Sequence, residues 1–196
     1  HLFKGGVSLE GWHDVTVIGS QLKAGNNLVL GALNNVSVLS ATDEHSDFSK
    51  TTKKGSFGLS KSGKTTVNSS TIQIASELEA GNDIVVASGK DFLLQASTAA
   101  AGNDVEFRSG LVDDTGDINL ISANDTDYSR SEAYKKKTGL SVSGGFLSLS
   151  SAKEAGRQGQ GSTSVGSMVV AGRDTILSAE RDINVLGSGI DAGQIG

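Results

Sequence analysis

Ala171-Gly172-Arg173-Asp174-Thr175-Ile176-Leu177-Ser178-Ala179-Glu180-Arg181-Asp182-Ile183-Asn184-Val185 contains one phrase twice, eight residues apart. The phrase is Asp or Asn, an apolar or β-branched residue, any residue, then another apolar residue. Working outward, it recurs at Asp14-Val15-Thr16-Val17, Asn27-Leu28-Val29-Leu30 and Asn35-Val36-Ser37-Val38. It returns at Asp83-Ile84-Val85-Val86, Asp91-Phe92-Leu93-Leu94, Asp104-Val105-Glu106-Phe107 and Asp117-Ile118-Asn119-Leu120. Ala-Gly-Asn or Ala-Gly-Arg precedes four of these nine copies.

Each copy has the chemistry of a turn followed by a strand. Gly tolerates φ > 0, and Asn or Asp hydrogen-bonds its own backbone or enters the left-handed region, so the pair sets a corner. In the strand after the corner, the first and third residues point to one side. Short Val/Ile-rich runs bounded by Gly, Asn and Asp are β signals, and no helical periodicity competes with them outside two long gaps. The structural corner positions are therefore Asp14, Asn27, Asn35, Asp83, Asp91, Asp104, Asp117, Asp174 and Asp182.

Spacing decides between architectures. Successive corners are 13 (14 to 27), 8 (27 to 35), 8 (83 to 91), 13 (91 to 104), 13 (104 to 117) and 8 (174 to 182) residues apart. One 8 and one 13 make a period of 21. A sandwich or antiparallel barrel has no need of one phrase at a fixed period. A solenoid does, because each coil stacks like residues on like. The expected fold is all-β, a parallel β-helix of about 21 residues per coil. Its inward stacks would hold Leu28, Val36, Ile84, Phe92, Val105, Ile118 and Ile183 beside Leu30, Val38, Val86, Leu94, Phe107, Leu120 and Val185.

Two gaps, 35 to 83 and 117 to 174, hold inserted sequence that is similar in both places. Val36-Ser37-Val38-Leu39-Ser40-Ala41-Thr42-Asp43 matches Ile118-Asn119-Leu120-Ile121-Ser122-Ala123-Asn124-Asp125. Lys53-Lys54-Gly55-Ser56-Phe57-Gly58-Leu59-Ser60 matches Lys136-Lys137-Thr138-Gly139-Leu140-Ser141-Val142-Ser143. A higher-order repeat of roughly 80 to 90 residues thus overlies the coil. The inserts predict two extruded, hairpin-like arms at about 42–71 and 124–167 on a single β-helix segment, residues 1–196, of a larger protein. Thr138 to Ser151, alternating Gly/Ser with Leu, Val and Phe, suits an extruded strand pair, and Ala152 to Ser164 suits a flexible tip.

Composition agrees with such a fold and closes off other classes. Aromatic residues are 5% and Pro is absent, so the core falls to Val, Ile and Leu and every backbone N–H is free to pair. With no Cys there is neither a disulfide framework nor a thiolate metal site. A net charge of −5 makes no electrostatic case for a nucleic-acid partner. No apolar run reaches the roughly 18 residues of a membrane span. His1-Leu2-Phe3-Lys4 has no signal-peptide pattern, and the expectation is a piece of a longer chain.

The phrases around Ala80-Gly81-Asn82-Asp83 and Ala171-Gly172-Arg173-Asp174, with the inserts' Lys-rich runs and Gly-Leu-Ser-Val-Ser-Gly-Gly, resemble the haemagglutinin repeats of filamentous haemagglutinins, in their second class. That class belongs to two-partner secretion exoproteins, including contact-dependent growth-inhibition proteins and adhesins. The resemblance implies a right-handed β-helix at the bacterial cell surface, serving adhesion or delivery of a C-terminal toxin. It implies as partners an outer-membrane two-partner transporter during export, a target-cell receptor or envelope component, and further coils of the same chain. It supplies no catalytic residues and no cofactor.

Several motifs invite sharper readings. Gly58-Leu59-Ser60-Lys61-Ser62-Gly63-Lys64-Thr65 matches a phosphate-binding loop, but the next residues, Thr66 to Ile72, are β-branched and Ser-rich where a helix is required. Asp43, Glu44, His45 and Asp47 offer oxygen ligands to a divalent cation without any second ligand cluster, and read as an exposed acidic loop. His1 and His13 lack an identifiable Ser or Cys partner. The corner Asp residues lack the nine-residue period of calcium-binding rolls. Arg173 and Asp174, with Arg181 and Asp182, are the candidate pairs of a polysaccharide lyase or hydrolase, or else solvated corner salt bridges. Lys53-Lys54 and Lys135-Lys136-Lys137 face either an anionic lipid or glycan, or only water. A stalk, a carbohydrate-active β-helix enzyme and a receptor-binding module using the arms remain the three classes of function.

Overall fold

The computed structural model describes residues 5–55, 60–112, 114–143 and 146–193, with side chains from 138 to 151 excepted. Among the described residues there is strand and no helix. The chain divides into two compact units: residues 1–43, 73–124 and 164–196 form the first, and residues 44–72 and 125–163 the second.

The first unit consists of three five-stranded sheets that the chain visits in rotation. The first sheet takes β1 (Val7–Gly11), β4 (Leu28–Ala32), β9 (Ile84–Ser88), β12 (Val105–Arg108) and β17 (Thr175–Ser178), in that order. The second takes β2 (Val15–Ile18), β5 (Val36–Leu39), β10 (Phe92–Gln95), β13 (Ile118–Ile121) and β18 (Ile183–Leu186). The third takes β3 (Gln21–Ala24), β8 (Glu77–Ala80), β11 (Thr98–Ala101), β16 (Met168–Ala171) and β19 (Gly189–Ala192). All pairings within these sheets are parallel. Parallel sheets visited in this way are consistent with a β-helix.

Register follows the phrase. Val7 pairs with Leu28, Val15 with Val36, Ile84 with Val105, Glu77 with Thr98 and Met168 with Gly189. Across the gaps it lengthens, as Leu28 pairs with Ile84 and Val105 with Thr175, and Phe92 pairs with Ile118 at 26 residues where two 13-residue intervals follow one another. Like residues therefore stack on like. Leu28, Leu30, Val36, Val38, Ile84, Val86, Phe92, Leu94, Val105, Phe107, Ile118 and Leu120 are all fully buried. Phe92 and Phe107 meet from different sheets with ring centroids 4.6 Å apart, tilted by 56°.

Three expectations need correction here. Ile183 and Val185 are 45% and 41% exposed, because β18 is an outermost strand of its sheet and nothing described stacks beyond it. The third-sheet strands β3, β8, β11 and β16 were not marked by the phrase: β3 and β11 lie in the 13-residue intervals 14–27 and 91–104, and β8 and β16 close the two long gaps. Their inward residues, Leu78, Ala80, Ala99, Ala101, Val169 and Ala171, are buried but mostly small. The corner glycines also have another reason to exist. Positive φ occurs at Gly19, Gly110 and Gly187 and not at Gly81, Gly102 or Gly172. A Cβ at Gly102 would lie 2.1 Å from the carbonyl oxygen of Gly81, and one at Gly172 would lie 2.0 Å from that of Gly102. Stacked backbones approach too closely there for any side chain.

The second unit is a four-stranded sheet in the order β15 (Phe146–Val165), β14 (Ala123–Ser143), β7 (Ser60–Ile74), β6 (Ala41–Lys54). β14 and β7 pair antiparallel, from Thr126 opposite Thr71 to Lys137 opposite Ser60. Thus the two similar inserts are hydrogen-bonded to each other. Ala152 to Ser164, expected as a flexible tip, lies inside β15. Its Gly, Ser and charged residues have little strand propensity, and the pairing partner β14 supplies what propensity does not. Part of the expected pair over Thr138 to Ser151 lies outside the described residues, as do Gly58 and Leu59 of the phosphate-loop match.

Candidate functional site

The nine corner residues fall into two columns. In the first, the Oδ1 of each member accepts the backbone N–H of the next. Asn35 donates to Asp14 (3.0 Å), Asp91 to Asn35 (3.2 Å), Asp117 to Asp91 (3.0 Å) and Asp182 to Asp117 (3.1 Å). In the second column, Asp104 donates to Asp83 (3.3 Å) and Asp174 to Asp104 (3.2 Å) in the same sense. Asn27 stands at the head of this column, where its carbonyl accepts the amide of Val7 at 2.8 Å. The carbonyl at each corner accepts in turn from the residue just past the corner before it, as Phe92 donates to Asp117 (2.9 Å) and Ile118 to Asp182 (2.9 Å). A parallel ladder leaves a corner amide pointing along the stack, and the short carboxylate or carboxamide of Asp or Asn is the right length to meet it. The side chains act between neighbouring turns of the chain and not on their own backbone.

Stacked carboxylates repel, and two guanidinium groups offset part of that. Arg173 Nη2 lies 2.6 Å from Asp104 Oδ2, and Arg181 Nε lies 3.4 Å from Asp117 Oδ1. The expected pairing of Arg173 with Asp174 and Arg181 with Asp182 is replaced by bridges to the neighbouring rung, because side chains at one corner fan outward while those of adjacent rungs run side by side. All four groups keep substantial exposure, so each bridge contributes little to stability.

Sequence reasoning missed a third column, made of serine. Ser20 N donates to Ser76 Oγ (3.1 Å), Ser76 N to Ser97 Oγ (3.2 Å), Ser97 N to Ser167 Oγ (3.4 Å) and Ser167 N to Ser188 Oγ (3.1 Å). The hydroxyls donate onward to carbonyls: Ser76 to Leu39, Ser97 to Gln95, and Ser167 to Leu94 and Ile121. Ser76, Ser97 and Ser167 are buried with both roles satisfied. The signal was present as Ser, then Ala-Gly four and five residues later, at 20–25, 76–81, 97–102, 167–172 and 188–193.

Two of the grooves on the second unit hold residues that the sequence singled out. One, of about 510 Å³, is lined by His45, Asp47, Asn68, Asp127, Tyr128, Gln160 and neighbouring Ser and Gly residues. His45 Nε2 and Asp47 Oδ2 are 3.0 Å apart there and well exposed. Among the described residues no group of three or more His, Asp or Glu side chains is placed to hold a metal ion. Another groove, of about 360 Å³, is lined by Lys53, Lys64, Lys135 and Lys153 over Thr51, Ser62, Ala133 and Ala155, with Gly63, Tyr134 and one carboxylate, Glu154, also in its lining. The described part of the phosphate-loop match, Ser60 to Thr65, is strand β7, without the helix N-terminus that such chemistry uses.

Comparison with known proteins runs along the same lines as the geometry. The family model described as "Hemagglutinin repeat" matches residues 3–135 and again residues 56–196. The chain is 28% identical over 194 residues to "tRNA nuclease CdiA" of Escherichia coli (strain STEC_O31), covering 89% of this chain and 6% of that protein. It is 28% identical over 188 residues to "tRNA nuclease CdiA-2" of Burkholderia pseudomallei (strain 1026b), covering 92% and 6%. It is 31% identical over 145 residues to "Deoxyribonuclease CdiA" of Dickeya dadantii (strain 3937), covering 68% and 4%. The chain therefore spans a small part of each, and the nuclease activities are those of the named proteins. No solved structure matches significantly. Two overlapping family matches that together span almost all of the sequence place the chain in the hemagglutinin-repeat family, as a repeat region of the kind carried by CdiA proteins.

Proposed function

We propose that the chain is a structural rod segment of a large secreted exoprotein at the bacterial cell surface, serving adhesion or contact-dependent delivery of a C-terminal toxin. In this reading the first unit is a right-handed β-helix of about 21 residues per coil, the hand that parallel crossover connections take. The long strands at about 42–71 and 124–167 are its extruded arms, and the nine corner residues are its coil locks. Its partners are an outer-membrane transporter during export, a receptor or envelope component on the target cell, and further coils of the same protein. The observation that carries the proposal is the unbroken parallel stacking of three sheets with side-chain columns at the corners. Such a stack resists bending and transmits position, which is what a stalk needs.

The test is made in the whole exoprotein. Replacing this segment with an equal number of coils from an unrelated β-helix should preserve target-cell killing or adhesion, whereas deleting it should shorten the protein's reach and lower both. If the purified chain instead depolymerises an acidic polysaccharide, and Asp174→Ala abolishes that, the stalk reading fails in favour of an enzyme.

A further inference from the structure

We infer that the lysine groove of the second unit is a binding site for a linear anionic glycan. Four adjacent strands each contribute one ammonium group: Lys53 from β6, Lys64 from β7, Lys135 from β14 and Lys153 from β15. Lys135 stands opposite Ser62, and Lys64 opposite Ala133, so alternation along the strands brings both to one face. The same alternation leaves Lys61 and Lys136, a directly opposed pair, on the other face. Lys64 and Lys135 are diagonal neighbours, two residues apart in register, which sets their stems about 7–8 Å apart in a band of charge across the sheet. Such a band exceeds the size of a single phosphate and suits a chain whose negative groups repeat.

The rest of the lining narrows the ligand class. Thr51, Ser62, Ala133 and Ala155 make a low floor that offers room and two hydroxyls, as pyranose rings with free hydroxyl groups require. Alternation turns the ring of Tyr134 to the opposite face, where it lies over Gly63. Among the described lining residues Tyr134 is the one aromatic, and with its ring over Gly63 the groove offers no row of platforms for successive bases, which disfavours a single-stranded nucleic acid. Nor does the lysine side of the groove carry a large apolar side chain to enter a lipid layer. Carboxylate-bearing and sulfate-bearing glycans share the chemistry that remains. The inference rests on the stalk reading only for where such a glycan would be met; binding itself is a property of the purified chain.

The test is a titration of the full chain with polygalacturonate and with dextran sulfate, with neutral dextran, phosphatidylglycerol vesicles and oligothymidylate as comparators. One or both charged glycans should bind, more weakly as salt is raised. Replacing Lys53, Lys64, Lys135 and Lys153 together by Ala should weaken binding at least about tenfold, about 1.4 kcal/mol. Replacing Lys50, Lys54, Lys61 and Lys136, which lie on the other face, should change it less than about twofold. The Lys64→Gln, Lys135→Gln double variant should fall between, which keeps the test open if the fourfold variant loses its β-sheet circular dichroism. Equal loss in both fourfold variants would reduce the site to net charge and overturn the inference. Vesicles or oligothymidylate bound as tightly as the glycans would overturn it in favour of another partner, and an absence of binding to either charged glycan would end it. A swapped rod that still delivers would leave this result untouched, so the two proposals fail separately.

Discussion

Thr175 occupies an inward position beside Val105 on the neighbouring strand, and its hydroxyl is buried without a hydrogen-bond partner. Thr175→Val keeps the shape and removes the orphan, so thermal unfolding should show a gain of about 1 kcal/mol. Ser97 is the opposite case, since it accepts from Ser76 N and donates to Gln95 O while almost wholly buried. Ser97→Ala strands two groups and should cost about 2 kcal/mol by denaturant titration, while the exposed Ser8→Ala should leave the midpoint unmoved. At Gly102 even a methyl group meets the carbonyl of Gly81, and Gly102→Ala should cost about 3 kcal/mol through backbone displacement. The corner phrase was legible because Asp or Asn next to a β-branched residue contrasts sharply with its surroundings. The serine column was hard to see, since Ser is common in this chain and only its distance from Ala-Gly distinguishes the buried copies.

Among the elements, Lys23 on β3 and Glu79 on β8 form a cross-strand pair at 2.9 Å. The hydrogen bond to Glu79, helped by the charges of Glu79 and Glu77 and opposed by desolvation, holds the Lys23 ammonium above its ordinary pKa of 10.5. Its stabilisation is therefore present below 10.5 and is lost as pH rises through the elevated value. Lys23→Met should remove that alkaline step from the pH profile of the unfolding midpoint and slightly lower the midpoint at neutral pH, where the pair's stabilisation is present. The third-sheet strands show why some elements escaped sequence reasoning. Thr98-Ala99-Ala100-Ala101 and Glu77-Leu78-Glu79-Ala80 are poor strand formers, and they are strands because rungs on both sides offer them hydrogen-bond partners. β15 escaped for the same reason. In the second unit, Lys53 and the run from Lys135 stood out as basic, whereas the arrival of Lys64 and Lys153 in the same groove depends on pairing that no local pattern encodes.

At the scale of the whole first unit, each rung touches only the rungs on either side of it, so protection should be graded along the stack. Hydrogen exchange should be slowest for the amides of Phe92, Val105 and Ile118 and fastest for those of β18 and β19, where Ile183, Val185 and Ile190 are exposed. Uniform protection from end to end would contradict this. The registers carry a kinetic consequence as well. Asp14 and Asn35 are bonded across 21 residues, whereas Asp104 and Asp174 are bonded across 70. Closing the longer excursion costs about 1 kcal/mol more in chain entropy. Assembly should then advance in bursts, with neighbouring rungs closing quickly and two pauses where the long strands intervene. A chain emerging end-first from a narrow opening would meet those pauses in a set order, and each would briefly halt the collapse that draws the following residues outward.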